Sequence, residues 1–290
     1  MIDVISRNLG RLEQDGKVLE VHPVSGGDIN EAFYVRTANK EYFVKSNRKK
    51  DMRFFQVEET GLNLIRSTKT ISVPEIYGVC SDEKTGIPML WMEWIQGVPT
   101  GKTQTILGEQ LACLHLCEGP GYGFEDDTYI GFLPQSNGIF HSWLEYYREK
   151  RLGGQLRHGR KRGTISGKRE EQLTDLLARL DEWIPEHPKC SILHGDLWGG
   201  NWMTGKNGLP YLIDPSVLYG DHEFELAFTE LFGGFSRQFY DAYQDVFPLT
   251  PEYHERKELY QLYYLLVHLN MFGEAYGPSV DRILKRYSKK

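Results

Sequence analysis

Residues 192–201 read Ile-Leu-His-Gly-Asp-Leu-Trp-Gly-Gly-Asn. An apolar run leads into His194-x-Asp196, and Asn201 stands five positions after the aspartate. This is the order and spacing of a phosphoryl-transfer loop, in which the Asp takes the proton of an attacking hydroxyl and the Asn holds a metal. Downstream, Trp202-Met203-Thr204 and Tyr211-Leu212-Ile213 flank the turn Gly205-Lys206-Asn207-Gly208. Asn-Gly between two apolar runs signals a hairpin, which brings its outer ends together. Asn201 and Asp214 are therefore expected side by side, as two oxygen ligands suited to Mg2+. A lone Asp after a strand is usually a turn or cap residue, so the ordered set carries the expectation.

Such chemistry also needs a cation on the nucleotide phosphates and an acid to aim it. Lys45 follows Tyr42-Phe43-Val44 at the end of an apolar strand. Glu58 lies between Phe54 and Leu62 on the apolar stripe of the next predicted helix, whereas Glu59 shares a polar face with Asn63 and Arg66. A carboxylate on a buried face is costly unless paired, so a Lys45–Glu58 pair is expected. Gly26-Gly27-Asp28 sits at a strand-to-strand turn where a nucleotide-covering loop belongs, although ordinary hairpins use the same residues. By position, the Glu93 carbonyl and the Ile95 N–H are expected to bond an adenine ring. Residues 97–103 imitate a P-loop but have three residues between the glycines instead of four. One of the three is Pro99, which has no N–H to give a phosphate.

These residues need a β-rich segment followed by a helical one. Strands are expected at 18–21, 32–37, 41–45 and 74–92, with a helix at 51–66 and a linker at 96–101. Helices are expected at 103–117, 140–151, 169–183 and 251–273. The predicted fold class is α+β, a protein-kinase-like bilobal fold. A small β-rich N-lobe (1–95) and a larger helical C-lobe (96–290) would hold ATP between them. The glycine-rich, basic stretch 153–168 reads as a solvated, mobile loop.

The chain has 290 residues, 40% hydrophobic and 26% charged, with formal net charge −6. That balance argues against nucleic acid or an anionic membrane surface as partner. The first residues carry an early acid and no long apolar run, and 259–272 is interrupted by Gln261, His268 and Asn270. Neither signal peptide nor membrane span is expected, and a cytoplasmic setting follows. Cys80, Cys113, Cys117 and Cys190 are expected as buried free thiols. Cys113, His115 and Cys117 do not suit one metal, because on a helix position 115 points about 160° from the other two.

The loop His194-Gly195-Asp196-Leu197-Trp198-Gly199-Gly200-Asn201 resembles that of the fructosamine kinases, or ketosamine 3-kinases, relatives of aminoglycoside phosphotransferases and choline kinases. The resemblance extends through Gly26-Gly27-Asp28-Ile29-Asn30, Glu58-Glu59-Thr60-Gly61-Leu62, Ile130-Gly131, Pro134-Gln135-Ser136-Asn137 and Trp143…Arg151-Leu152. It continues in Tyr219-Gly220-Asp221-His222-Glu223, Glu230-Leu231-Phe232-Gly233-Gly234-Phe235 and Leu259…His268-Leu269-Asn270, nearly spanning the chain. It implies ATP-dependent phosphorylation of the sugar 3-hydroxyl in ketosamines, as small molecules or on glycated amines and proteins, followed by elimination that frees the amine. Asp196 would orient the hydroxyl and accept its proton while Lys45 and the metal absorb phosphoryl charge.

Trp198 offers a flat face to a sugar, or simply packs. Asp221 and Glu223 offer charge to a protonated amine, or serve structure equally well. Gln135, Asn137 and Arg151 are further acceptor candidates. His115 and His194 read as supports of the loop. His222 stands where the family more often has Arg, and Glu225 where it more often has Asp, departures expected to bear on substrate detail. The competing expectations are a kinase for another small alcohol or amine (an aminoglycoside, choline or a sugar) and a non-catalytic nucleotide-binding scaffold. The oligomeric state is unspecified.

Overall fold

The computed structural model describes residues 1–12, 17–24 and 29–288. Gly26, Gly27 and Asp28 lie outside the described residues. In chain order the elements are α1 (Ile2–Leu12), β1 (Glu20–Pro23), β2 (Glu31–Arg36), β3 (Glu41–Ser46), α2 (Met52–Thr68), β4 (Ile76–Ser81) and β5 (Pro88–Glu93). Next come α3 (Thr103–Leu116), β6 (Tyr122–Phe124), β7 (Thr128–Ile130), β8 (Leu133–Gln135), β9 (Gly138–Phe140) and α4 (Trp143–Tyr146). A π-helical stretch, Tyr147–Leu152, runs into α5 (Gly153–Arg162), followed by α6 (Gly167–Ala178) and β10 (Ser191–Leu193). The chain closes with β11 (Trp202–Thr204), β12 (Pro210–Leu212), β13 (Leu218–Gly220), α7 (His222–Thr229), α8 (Arg237–Val246), α9 (Tyr253–Phe272) and α10 (Gly277–Tyr287).

Two compact units emerge: Met1–Thr103 with Trp202–Pro215, and Gln104–Asn201 with Ser216–Lys290. This differs from a single cut at 95/96 because the β11–β12 hairpin joins the first unit. Leu212 N–H donates to Ser72 O (2.9 Å), and the Thr103 hydroxyl donates to Gly208 O (2.8 Å).

The first unit holds an antiparallel sheet in the order β1-β2-β3-β5-β4. Alternation along the strands sends Phe33, Val35, Tyr42, Val44, Met89 and Trp91 into one core with Val4, Ile5 and Leu9 of α1. Helix α1, eleven residues with Val4, Ile5 and Leu9 on its buried face, was not expected, although its apolar spacing was there to read. Lys45 belongs to the other face by the same alternation. Helix α2 is capped at Asp51, whose carboxylate accepts from Phe54 N–H, and it buries Phe54, Phe55, Glu58, Gly61, Leu62 and Ile65.

The second unit surrounds an aromatic core in which Trp143, Tyr147, Phe224, Phe228, Tyr260, Tyr263 and Tyr264 are buried. A four-stranded sheet, β10-β13-β6-β9, presents the end of β10. Three-residue strands such as β6 to β9 are too short to show alternation in sequence, and Phe140 proves to be strand rather than helix.

Residues 153–168 are not a loop: α5 fills most of the stretch and Gly163, at φ 77°, caps it. Its glycines serve close packing instead of freedom. A Cβ on Gly159 would sit 2.3 Å from the Ile165 side chain, and one on Gly153 2.7 Å from Arg148 O. The cysteines also depart from expectation, with Cys113 exposed and Cys80, Cys117 and Cys190 half-buried. No described helix is long and apolar enough to cross a membrane.

Candidate active site

Strand β3 carries Lys45 to a buried position, 5% exposed, opposite Leu90 of β5. Its ammonium donates to Glu58 Oε1 at 2.6 Å and also contacts Asp214 Oδ1. One cation thus bridges a carboxylate from α2 and one from the segment after β12, which offsets the desolvation of Lys45 and Glu58. Asp214 adopts φ 56°, a left-handed conformation that asparagine and aspartate tolerate better than most residues. The hairpin registers Trp202 against Leu212, and its turn places Asn207 at φ 60° and Gly208 at φ 76°. Glu93 ends β5 opposite Tyr42, three residue pairs (about 10 Å) along the ladder from Lys45, and Ile95 is buried two residues later.

In the second unit, β10 delivers the loop that carries Asp196. Asn201 is buried, and its Nδ2 donates to Asp196 O at 2.7 Å and to Asp196 Oδ2 at 3.1 Å. Burial pushes the Asp196 carboxyl up to about 8, against the opposing pull of the Asn201 hydrogen bond. Gly195 must be glycine: its φ is 84° and a Cβ there would lie 1.9 Å from Ser216 O. The loop backbone is tied at several points. His194 O accepts from Ser216 N–H (2.8 Å), and Gly195 O accepts from the Tyr264 hydroxyl (3.0 Å).

The strongest of these ties comes from a residue expected to concern only substrate detail. Glu225, fully buried on α7, accepts from His194 N–H at 3.0 Å and from Gly195 N–H. It also accepts from His115 Nε2 at 2.8 Å. Burial alone would raise its carboxyl pKa, but His115, His194 and the Gly195 N–H together hold it below the usual carboxylate range. His115 Nδ1 meets the Tyr243 hydroxyl at 2.7 Å, and His222 Nδ1 meets the same oxygen at 2.9 Å. His222 is neutral, because burial and the neighbouring His115 and Arg256 push its pKa down to about 3. Sequence reasoning placed His115 as a loop support; its grip runs through Glu225. The missed signal was the one that found Glu58, a carboxylate inside an apolar helix run, here Phe224-Glu225-Leu226-Ala227-Phe228.

The whole chain, residues 1–290, matches the family model for fructosamine kinase. The chain belongs to the fructosamine kinase family. A Lactiplantibacillus plantarum protein named "Probable ketoamine kinase" is 40% identical over 272 residues, covering 93% of this chain and 95% of that one. The crystal structure of a provisionally assigned fructosamine-3-kinase from Haemophilus somnus matches with TM-score 0.88 and 29% identity, covering 99% of this chain and 97% of that one. The fold is also that of the aminoglycoside phosphotransferase APH(4)-Ia, with TM-score 0.66, 17% identity and 100% of each chain covered. The α+β, protein-kinase-like class expected from sequence is therefore the fold of this fructosamine kinase family member.

The acceptor candidates divide sharply. Trp198 is 42% exposed, beside Gly199 and Gly200. Asp221 and Glu223 are both engaged inside the protein. Asp221 is buried, caps α7 by accepting from Glu223 N–H, and accepts from the Tyr260 hydroxyl. Glu223 is buried against Arg256 (2.9 Å) and accepts from Thr250. Gln135, Asn137 and Arg151 are buried as well. Gln135 Nε2 donates to Ser216 Oγ and its Oε1 accepts from the Tyr263 hydroxyl (2.7 Å), while Arg151 Nη2 donates to Asn137 Oδ1 (3.0 Å). Gln135 thereby ties the β7–β8 hairpin to Ser216, whose N–H donates to His194 O.

Burial of Asp221, with Glu223 nearby, pushes its carboxyl up to about 7. The native chain then holds a proton there that the unfolded chain, with an ordinary value near ~4, releases. Stability from this group is full below about pH 4 and is lost as pH rises through 7, on the order of 4 kcal/mol for a shift of about three units. Asp221→Asn is expected to flatten the fall in stability between pH 5 and 7.5. Chemical denaturation at both pH values measures it, and an unchanged slope would refute the assignment.

Proposed function

We propose that the protein is an ATP-dependent ketosamine 3-kinase that acts in deglycation, in the cytoplasm where ATP is held. The observation that carries phosphoryl transfer is the buried Lys45 ammonium shared by Glu58 and Asp214. Family membership supports the acceptor. Glu58 aims Lys45 at the α- and β-phosphates, Gly26-Gly27-Asp28 cover the nucleotide, and the Glu93 carbonyl with the Ile95 N–H bind adenine. The roughly 10 Å between the Glu93 and Lys45 positions along β3 and β5 suits the reach from adenine to the phosphates.

Asn201 commits its nitrogen to Asp196, which leaves the amide oxygen Oδ1 as its remaining polar atom. That oxygen and the Asp214 carboxylate are hard donors of the kind Mg2+ takes, so the residues fit the ion. Magnesium, when bound, neutralises charge developing on the transferring phosphoryl group. Asp196, whose Oδ2 is held by Asn201 Nδ2 at 3.1 Å, orients the sugar 3-hydroxyl and, as the carboxylate, accepts its proton. Trp198 presents its exposed ring to the sugar. The 3-phosphate is then lost together with a proton from the carbon that bears the amine, and water hydrolyses the resulting conjugated imine, which frees the amine.

A coupled ADP-release assay tests this across a ribulosamine, a fructosamine, an aminoglycoside and choline under one set of conditions. ADP release is expected with the ketosamines alone. Turnover restricted to aminoglycoside or choline would reassign the acceptor. Silence with every acceptor, alongside nucleotide binding, would favour a scaffold.

A further inference from the structure

Between Lys150 and Lys168 the chain has no acidic residue, although the protein carries net charge −6. Several cations elsewhere in the second unit are matched: Arg169 pairs with Glu274 and Asp281, Arg256 with Glu223, and Arg282 and Arg286 with Glu258. Within the basic stretch only Arg160 finds a carboxylate, Glu170 at 2.7 Å. Among the described residues, Lys150, Arg157, Lys161, Arg162 and Lys168 have no ion-pair partner within 4.0 Å. Arg157, Lys161, Arg162 and Lys168 are exposed. The helix dipole accounts in part for Lys161 and Arg162, which sit in the last turn of α5, and Arg157 donates to Glu149 O at 3.0 Å, but none of them meets a carboxylate.

Helix geometry orders these charges. Arg157 and Lys161 are one turn apart on one face, and His158 and Arg162 are one turn apart beside them. The second column packs on the β7–β8 hairpin, with His158 Nε2 at 3.1 Å from Pro134 O and the Arg162 guanidinium 5.8 Å from the Phe132 ring centroid. Lys150 reaches Ser136 Oγ at 3.3 Å on the same hairpin. The hairpin is joined to the catalytic segment through Gln135 to Ser216 (2.5 Å) and Ser216 N–H to His194 O (2.8 Å). A basic strip therefore leads away from the loop that carries Asp196.

We propose that this strip docks an acidic polypeptide segment flanking a ketosamine-bearing lysine, so that glycated protein with acidic neighbours is the preferred acceptor class. The proposal rests on the ketosamine reading above. One helix turn separates Arg157 from Lys161 by about 6 Å along the axis, close to the ~6.6 Å between same-side residues of an extended peptide. Acids at alternate positions therefore match the column. Nucleic acid fits less well, because the aromatic rings beside the strip already lie under its cations, Phe132 under Arg162 and Phe140 under Lys150, each at 5.8 Å.

The test uses two peptides with one ribulosyl-lysine each, flanked at alternate positions by Glu or by Gln. The acidic peptide is expected to show about tenfold higher kcat/KM at low salt, the effect of two exposed ion pairs, and parity at high salt. Arg157→Glu with Lys161→Glu should abolish the preference, with the rate on a small free ribulosamine as the fold control. Anisotropy with the unglycated acidic peptide reads docking alone, and its affinity should fall about tenfold in the double variant. If no ketosamine is phosphorylated, the kinase reading fails while this binding still decides the strip. Equal kcat/KM for both peptides, or binding that the reversal leaves unchanged, would overturn the proposal. Reversal-sensitive binding of a single-stranded RNA oligomer in place of the peptide would overturn it too.

Discussion

Asp196→Asn is expected to lower kcat by about 10²–10⁴-fold, the usual worth of a positioned general base. The substitution is nearly isosteric, and an asparagine oxygen still accepts from Asn201 Nδ2, so the loop keeps its shape. What disappears is a group able to take the hydroxyl proton. On the proposed reading nucleotide binding rests on Lys45 and its carboxylates, which lie in the other compact unit, so nucleotide affinity is expected to change by no more than a few-fold. Nucleotide affinity by competition titration, together with ADP release at saturating ketosamine, separates the two effects. A variant that retains more than a tenth of kcat would remove Asp196 from the role of base.

How much of this was legible in the sequence depended on how local each constraint is. The Asp196 loop showed because residue identity and spacing lie within ten consecutive positions. The hairpin showed through Asn207-Gly208, whose positive φ values the type of turn demands. Lys45 and Glu58 showed because a carboxylate on an apolar stripe has to find a cation, and the 2.6 Å contact is that solution. Asp221 and Glu223 were ambiguous for a physical reason: an acidic residue serves a cap as readily as a ligand, and only burial distinguishes the two. Residues 153–168 misled because Gly153 and Gly159 look like flexibility in sequence, whereas here they let the helix approach Arg148 and Ile165. That information belongs to the packing partner and is absent from the segment itself. Glu225 was visible as a residue but not as a role, since its partners His115, His194 and Gly195 lie 30 to 110 positions away.

Removing Glu225 is the sharper test of how the site is held. Glu225→Ala is expected to cost about 3–5 kcal/mol of stability, the penalty for breaking a buried charged network and leaving its donors unpaired. Two backbone N–H groups of the catalytic loop and His115 Nε2 would all lose their acceptor. A catalytic loss of about 10²-fold should accompany it, because a displacement of ~1 Å in the Asp196 loop is enough for that. Glu225 touches no reacting atom, so it is a positioning residue, and the two effects have to be separated. At a temperature where circular dichroism shows the variant fully folded, kcat should stay depressed while KM for ATP is unchanged. Glu225→Asp keeps the charge but is shorter by one methylene, so it satisfies the loop N–H groups or His115 and recovers part of the rate. His115→Ala should act in the same direction, and the double variant should lose less than the sum of the singles, since both act through one network. Wild-type kcat per folded molecule in Glu225→Ala would mean that Ser216 and Tyr264 alone set the loop, and that the carboxylate contributes only to stability.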